Sequence, residues 1–327
     1  MNITTVWYEK KPRWFLWLLY PFHCLYCLVS YGRNKAYEKG YLKIHQLPVP
    51  VWVIGNMTIG GTGKTPLVIA IVQWLKGQGL KPGIVSRGYG GKEKIFPHRV
   101  ELTDTATQVG DEPLLIAQHT QCPVVIDPCR VRGAKALVKL GVNIIVSDDG
   151  FQHHSLYRDC NIVVVDGIRR YGNGYCLPMG PLREPLSALQ RTHLVVCNGD
   201  TLAQVDEYPM ILQPQLIKPC VPLFQKPINK NQPVHAVAAI GHPQRFFDLL
   251  EREGYRIIPH EFPDHHRFTA ADLNFGDENP IIMTEKDGVK CKEFAQPHWW
   301  VLPVEAMLAE TFWNTLATYL PKKNVLC

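Results

Sequence analysis

Nearly continuous apolar runs alternate with segments of helical periodicity along the amino-terminal part of the chain. Such runs are typical of strands buried on both faces of a parallel sheet, and the intervening helices cover those faces. The pattern predicts an α/β fold of the P-loop NTPase type, with a parallel sheet and helices on both faces. The strand-like runs lie at 51–54, 83–86, 123–126, 143–146, 162–165 and 193–197, and the helical segments at 67–75, 113–119 and 131–140.

The chain changes character at a proline-rich stretch. Six prolines punctuate 207–233, where helical periodicity is lost and only short extended pieces remain. We predict a membrane-interface segment at 1–35, a P-loop nucleotide-binding domain at 36–207, a linker at 208–233, and a second, smaller α/β domain at 234–327 that closes a cleft. Its predicted elements are strands at 234–240, 255–259, 280–284 and 299–302 and helices at 243–253 and 305–319.

An apolar, aromatic-rich run at 14–29 has basic margins. As a helix it would reach roughly 24–27 Å at ~1.5 Å per residue, short of the ~30 Å hydrocarbon core of a bilayer. Pro21 and His23 lie near its middle. We expect a segment that lies in the membrane interface, with a true span and an ordinary buried helix as alternatives. The basic residues are Lys10, Lys11 and Arg13 before the run and Arg33, Lys35 and Lys39 after it.

Composition narrows the class of protein. With 327 residues and 46% hydrophobic content, the chain can bury a core large enough for two domains. A net charge of +6 suits a polyanionic ligand or an acidic membrane surface, but no arginine-rich arm accompanies it, so we expect no nucleic-acid partner. Ten scattered cysteines indicate reduced thiols, not a disulfide framework. The Cys24/Cys27 pair has zinc-like spacing, but no second pair matches it.

A glycine-rich loop follows the first predicted strand and opens a helix. Its sequence approaches the phosphate-binding pattern G-x-x-x-x-G-K-[ST], with Thr58 in place of the first glycine. Backbone N–H groups of such a loop converge on a polyphosphate, Lys64 can reach the β- and γ-phosphates, and the Thr65 hydroxyl can ligate Mg²⁺. The sequence therefore predicts ATP and Mg²⁺ as ligands. The predicted nucleotide-binding residues are Thr58, Gly60, Gly61, Thr62, Gly63, Lys64 and Thr65.

Two adjacent acids end another buried strand. Asp148 and Asp149 follow the run at 143–146, where a Walker-B carboxylate holds Mg²⁺ or its water, and in an extended chain they would point to opposite sides. A solvated turn is the alternative. Arg87 follows a neighbouring strand, so it faces either the nucleotide crevice or a structural turn.

Phosphoryl transfer also needs a group that orients the attacking hydroxyl. Asp111 is a candidate base, although Pro113 two residues later favours a helix N-cap by spacing alone. His265 and His266 lie on an irregular polar stretch where a histidine could pair with a carboxylate, and a surface position is the commoner meaning.

Eight sequence blocks occur in an order that resembles the tetraacyldisaccharide 4'-kinase family, the lipid A 4'-kinases of Gram-negative bacteria. The resemblance runs from the aromatic amino-terminal segment almost to the carboxyl terminus. The blocks are GGTGKTP (60–66), SRGYG (86–90), VGDEP (109–113), DDGFQH (148–153), LPMGPLREP (177–185), IGHPQRFF (240–247), DH (264–265) and TEKD (284–287).

The resemblance implies an ATP- and Mg²⁺-dependent kinase that phosphorylates the 4'-hydroxyl of a tetraacylated glucosamine disaccharide 1-phosphate, a lipid A precursor. It implies an enzyme on the cytoplasmic face of the inner membrane, where its acylated substrate lies. We expect a monomer, although the sequence does not determine the oligomeric state. Asp111 becomes the catalytic base instead of an N-cap. The other implied roles are His265 as its support, Lys64 and Thr65 on phosphates and Mg²⁺, Asp148 and Asp149 on the metal side, and Arg87, Gln152 and His153 on the substrate side.

The rival hypothesis is a membrane-docked P-loop ATPase switch that regulates a protein partner. Two absences count against it. Ile59 stands where ParA/MinD-type loops have their signature lysine, and the lysine of the block at 284–287 comes one place too late for a guanine-specificity motif.

Overall fold

Two sheets organise the chain in the computed structural model, which describes residues 6–9, 12–199, 204, 206–221 and 228–321. The strands are β1 (Val51–Gly55), β2 (Pro82–Ser86), β3 (His98–Arg99), β4 (Val124–Ile126), β5 (Ile144–Asp148), β6 (Cys160–Asp166), β7 (Leu194–Asn198), β8 (Glu207–Pro214), β9 (Lys218–Pro219), β10 (Pro233–Ala238), β11 (Arg256–Glu261), β12 (Ile281–Thr284), β13 (Trp299–Leu302) and β14 (Val304–Leu308).

Eight α-helices accompany these strands in the described residues. They are α1 (Tyr20–Glu38), α2 (Lys64–Gly77), α3 (Ala106–Val109), α4 (Asp111–Thr120), α5 (Arg130–Lys139), α6 (Pro243–Arg252), α7 (Glu285–Cys291) and α8 (Glu310–Ala317).

The larger sheet has the strand order β14-β8-β7-β6-β1-β5-β2-β4-β3. Its pairs are parallel except at the edges, where β3 and β14 are antiparallel to their neighbours. Alternate residues of β1 face opposite layers: Trp52 and Ile54 pack in one core with α2, whereas Val51 and Val53 pack in another with α5. The predicted parallel sheet with helices on both faces is confirmed.

Strand register brings the chemistry-bearing strand ends together. Ile54 of β1 lies opposite Asp148 of β5 and Ile162 of β6. Because these strands are parallel, the loop after β1 and the two acids at the end of β5, Asp148 and Asp149, lie at the same edge, where ligands of open α/β sheets bind.

The smaller sheet has the order β11-β10-β12-β13-β9, parallel except for β9. Helix α6 lays Phe246, Phe247 and Leu250 on Val234 and Ala236 of β10. This is the second α/β unit that the sequence predicts after residue 233.

The chain crosses between the two sheets more often than the sequence suggests. Residues 207–214, at the start of the predicted linker, form β8 of the larger sheet. The helix predicted at 305–319 is wrong in its first part, because 304–308 form β14, which pairs with β8. Helix α8 then packs Phe312 against Tyr208 of β8. Apolar periodicity shows which face of an element is buried but not which sheet receives it.

The amino-terminal run is a 3₁₀ turn at Trp14–Leu19 followed by α1. Pro21 lies in the first turn of α1, where its missing N–H costs nothing, and not in the middle of a helix as the sequence suggests. Residues 14–38 are long and apolar enough to cross a bilayer, yet only 11% of the apolar window is buried in the protein. The described segment is therefore not an ordinary core helix.

Phe312→Ala tests the return of the carboxyl-terminal segment to the larger sheet. The side chain is fully buried, and truncating a buried phenylalanine costs about 3–5 kcal/mol of unfolding free energy. Urea titration should show that loss, whereas Leu216→Ala, at a side chain that is 87% exposed, should change stability little. Equal small effects would contradict the packing described for α8.

Candidate active site

The phosphate loop, residues 56–63, joins β1 to α2 and is held from several sides. The Asn198 side-chain amide donates to the Thr62 carbonyl at 2.9 Å, and that of Asn56 donates to the Thr58 carbonyl at 2.7 Å. Gly63 has φ +87°, and a Cβ there would lie 2.2 Å from Asn198 Nδ2. Only glycine tolerates both this backbone conformation and this close approach. Any side chain at residue 63 would therefore distort the loop.

Thr58 and the glycines of the loop have different surroundings. Thr58 is buried and makes a backbone bridge with Leu182, which places it at the base of the loop. Gly61 approaches the loop after β10, where a Cβ on Gly241 would lie 2.2 Å from the Gly61 nitrogen. The Arg169 guanidinium donates to the Gly241 carbonyl at 2.5 Å and fixes that contact.

Lys64 and Asp149 face each other at the start of α2. Lys64 Nζ lies 3.4 Å from Asp149 Oδ1, and Arg183 Nη1 donates to both carboxylate oxygens of Asp149 at 2.9 and 3.1 Å. Burial alone would raise the pKa of Asp149, but the two cations outweigh it and hold that pKa well below its usual range. Asp149 is therefore ionised at neutral pH.

Asp148 has the opposite environment. Ser86 Oγ donates to Asp148 Oδ2 at 3.1 Å, and Oδ1 is buried without a hydrogen-bond partner among the described residues. Burial, reinforced by the negative charges of Glu112 and Asp149, raises the pKa of Asp148 to about 7. The adjacent acids thus do point to different partners, although Asp149 has φ +48° and the backbone there is not extended.

These two carboxylates fit a divalent cation. Mg²⁺ prefers carboxylate and hydroxyl oxygens, and an unpartnered buried oxygen flanked by other acids is a position where a cation would relieve both desolvation and repulsion. Thr65, the second residue of α2, is half-buried beside Lys64.

Asp111 and His265 meet between the two sheets. His265 Nδ1 lies 3.1 Å from Asp111 Oδ2, while the Glu112 N–H donates to Asp111 Oδ1 at 2.9 Å. Burial would raise the pKa of Asp111, but the His265 hydrogen bond and the Lys286 charge lower it to about 2. Asp111 is the first residue of α4, and Gly110 occupies the N-cap, so the spacing-based N-cap hypothesis is wrong.

The neighbouring histidine has another partner. His266 Nε2 lies 3.4 Å from Asp272, so His265 and not His266 contacts Asp111. The ring of His265 also packs on Tyr89 at 5.1 Å between centroids. His265 has φ +60°, a conformation that non-glycine residues adopt at a cost and that clusters at functional sites.

Lys286 joins three carboxylates at the start of α7. Its Nζ lies 3.0 Å from Glu112, 3.7 Å from Asp264 and 3.9 Å from Asp111. Burial alone would lower the pKa of Lys286, but these acids raise it above its usual value. The ion cluster therefore connects the smaller sheet to the helix that carries Asp111.

The three residues predicted to contact the substrate follow strands of the larger sheet at the edge that carries the phosphate loop, but their side chains differ in exposure to solvent. Gln152 Nε2 donates to the Asn56 carbonyl at 3.1 Å and so supports the phosphate loop. Burial, with Arg130 and Arg87 nearby, lowers the pKa of His153 to about 4, so its ring is neutral at pH 7. Arg87 is exposed at the end of β2.

Sequence reasoning gave no role to three side chains that the structure places here. Ser86 and Arg183 each hold one member of the acidic pair, and Lys286 holds the cluster around Asp111. Each belongs to a block quoted for the family resemblance, and a cation or hydroxyl inside such a block is the signal that could have found them.

Known proteins resemble this chain over almost its whole length. A family model described as tetraacyldisaccharide-1-P 4'-kinase matches residues 15–321. The tetraacyldisaccharide 4'-kinase of Alkalilimnicola ehrlichii is 48% identical, covering 93% of this chain and 92% of its own. That of Aeromonas salmonicida is 44% identical, with 98% and 97% covered. The crystal structure of LpxK from Aquifex aeolicus in complex with ATP is 28% identical, with a TM-score of 0.74, and the match covers 93% of this chain and 98% of that one.

The free energy of unfolding of Asp148→Asn, relative to that of the wild type, should increase as pH rises. The pKa of Asp148 is about 7 when folded and about 4 when unfolded, so the native state holds the proton more tightly than the unfolded chain between these values. The free energy of unfolding of the wild type therefore falls as pH rises from about 4 to about 7. The asparagine side chain of the variant cannot ionise, so the variant does not undergo this loss. Urea titrations of the nucleotide- and magnesium-free protein should show the difference growing up to about pH 7 and then levelling. A pH-independent difference would contradict the assignment.

Proposed function

The chain belongs to the tetraacyldisaccharide-1-P 4'-kinase family, and we propose that it transfers the γ-phosphoryl group of ATP to the 4'-hydroxyl of a tetraacylated glucosamine disaccharide 1-phosphate. The observation that supports this most is the Asp111–His265 pair, which lies at the same edge as the phosphate loop. A nucleotide switch requires the phosphate loop. It does not require a carboxylate–imidazole pair whose two members come from the two units of the chain.

Binding of the nucleotide rests on the loop. Its backbone N–H groups and the α2 N-terminus attract the phosphates, and Lys64 exchanges its contact with Asp149 for the β- and γ-phosphate oxygens. Charge neutralisation there is the largest contribution a kinase makes, since phosphoryl transfer requires little covalent help.

Asp148, Asp149 and Thr65 would hold Mg²⁺. When bound, the ion neutralises charge on the phosphate oxygens. Asp148 is protonated over part of the neutral range, and the positive charge of a bound ion favours its ionised form. Ser86 keeps one Asp148 oxygen in place, which leaves Oδ1 for the ion.

Asp111 orients the attacking hydroxyl and accepts its proton. A carboxylate with a pKa near 2 is fully ionised but a weak base, which suits a loose transition state in which the proton leaves late. His265 Nδ1 donates to one Asp111 oxygen and so orients the carboxylate toward the hydroxyl. Arg87, Gln152 and His153 line the substrate side.

The acceptor's acyl chains explain the exposed face of α1. Phe22, Leu25 and Leu28 are each 58–66% exposed, and such aromatic and aliphatic side chains with basic margins suit the membrane interface. ATP is available on the cytoplasmic face of the inner membrane, and the basic residues that flank the apolar run favour its anionic lipids. We propose a monomer docked there, with no nucleic-acid partner.

A direct assay tests the activity. Purified protein incubated with Mg·ATP and the tetraacylated disaccharide 1-phosphate should yield a 1,4'-bisphosphate, seen by mass spectrometry. Lys64→Ala should lower turnover at least about 100-fold while the fold persists. Lys76→Ala, on the exposed face of the same helix, is the matched control. Slow ATP hydrolysis without a bisphosphorylated lipid would favour the switch instead.

A double-mutant cycle tests the Asp111–His265 pair. Asp111→Ala should lower kcat by about 10²–10⁴ with little change in the KM for ATP, because nucleotide binding rests on the loop. His265→Ala should be milder, and the double variant should resemble Asp111→Ala, since groups acting as a unit are not additive. His266→Ala should remain close to wild type. Losses that multiply independently would show that the two residues act separately.

Surface changes on α1 test docking. The triple variant Phe22→Ser, Leu25→Ser and Leu28→Ser should bind anionic vesicles more weakly and raise the KM for the acylated acceptor more than that for ATP. Deleting the whole segment would be less specific, because Tyr8 donates to the Ile59 carbonyl beside the phosphate loop. Leu216→Ser is the control. Unchanged vesicle binding would contradict docking through α1.

A further inference from the structure

Three soft metal ligands converge where α1 meets the body of the protein. His23 and Cys27 lie one turn apart on α1, and Cys176 lies in the loop after β6, buried among Met57 and Leu182. A ring nitrogen of His23 and the sulfur atoms of the two cysteines all lie within 4.8 Å of one another. None of the three belongs to the phosphate loop, the acidic pair or the Asp111–His265 pair.

The orientation of His23 is already that of a metal ligand. Its Nδ1 lies 3.1 Å from the carbonyl oxygen of Cys176, so Nδ1 carries the proton and donates it there. Nε2 then has the free lone pair. Cys27 Sγ lies beside the ring, 3.7 Å from Nε2 and 3.8 Å from Nδ1. Metal-binding histidines are typically fixed in this way, with the second ring nitrogen bonded to a backbone carbonyl. Packing of the His23 ring against Tyr175, at 5.3 Å, restricts its rotation.

We propose that His23, Cys27 and Cys176 form a binding site for Zn²⁺, with water as the fourth ligand. Tetrahedral zinc with bonds of about 2.0–2.3 Å requires ligand atoms about 3.5–3.8 Å apart. The 3.7 Å separation of His23 and Cys27 is already suitable, and ligand atoms that lie within 4.8 Å of one another need to close by at most about 1 Å. Binding displaces one proton from each thiol and forms two Zn–S bonds. The hard ions Mg²⁺ and Ca²⁺ are excluded by the sulfur donors, whereas Cu⁺ would accept the same set.

A bound ion would fasten α1 to the loop that supports the acidic pair. Tyr26, on the same helix, donates to the Arg183 carbonyl at 2.7 Å, and the Arg183 side chain holds Asp149. The ion would thus strengthen a connection that is otherwise made by the hydrogen bonds of His23 and Tyr26 and by the Arg33–Glu184 ion pair.

Metal content and cobalt spectroscopy test the site on the full-length chain in detergent under thiol-free reducing conditions. The protein should retain about one Zn²⁺ per chain after dialysis, and replacement by Co²⁺ should give intense thiolate charge-transfer absorption with tetrahedral visible bands. Cys27→Ser and His23→Ala, both at half-buried positions on α1, should each weaken zinc affinity at least about tenfold. Cys176→Ser should do the same, and ATP binding shows whether each variant is folded.

Matched controls separate this site from other outcomes. Cys24→Ser, one turn away on the exposed side, should leave zinc affinity unchanged, and so should Cys160→Ser in the larger sheet. Loss of binding in Cys24→Ser with retention in Cys176→Ser would replace this site by a Cys24/Cys27 pair. Absence of zinc retention and of cobalt charge transfer in wild type would overturn the proposal, as would a Cys27–Cys176 disulfide in the purified protein. Preferential Cu⁺ retention would keep the site and overturn the assignment to zinc.

Discussion

The ion cluster around Lys286 is the interaction on which the geometry of the site depends. Its ammonium group, on a side chain that is 15% exposed, lies against Glu112, Asp264 and Asp111. The smaller sheet and helix α4 are therefore joined through charges that are partly withdrawn from water. Such a cluster adds little net stability, but removing one partner leaves an uncompensated buried charge at a cost of about 3–5 kcal/mol. That penalty favours one relative position of the two sheets, in which His265 reaches Asp111.

The phosphate loop is constrained by the same junction. Asn198 of the larger sheet holds one end of the loop, while Gly241 of the smaller unit lies against Gly61 under the Arg169 hydrogen bond. The shape of the loop therefore depends on a contact between the two units as well as on its own glycines. A small movement of the Gly241 loop would open space at Gly61, whereas the Asn198 side is fixed by steric fit.

The sequence predicted the parts of the site that lie on regular elements. The loop before α2 and the acids after β5 follow from apolar strands and a glycine-rich turn, because strand ends of a parallel sheet share an edge. The pairing of Asp111 with His265 could not be derived in this way, since 154 positions separate them and local spacing indicated an N-cap; only the family resemblance suggested it. The roles of Lys286 and Arg183 were not predicted, because long-range ion pairs leave no periodic signal in the sequence. Strand β14 was not predicted, because periodicity does not identify a partner strand.

The exposed helix α1 is tied to the catalytic edge by polar contacts. Arg33 approaches Glu184, a fully buried carboxylate that also accepts contacts from His154 and Arg191. The adjacent Arg183 contributes its carbonyl to Tyr26 and its guanidinium to Asp149. One short segment thus contacts the exposed helix α1 on one side and Asp149 on the other. Because a buried carboxylate is costly to leave unpaired, Glu184 gathers His154, Arg191 and Arg33 around it. Helix α1 is thereby tied to the same segment whose Arg183 positions Asp149.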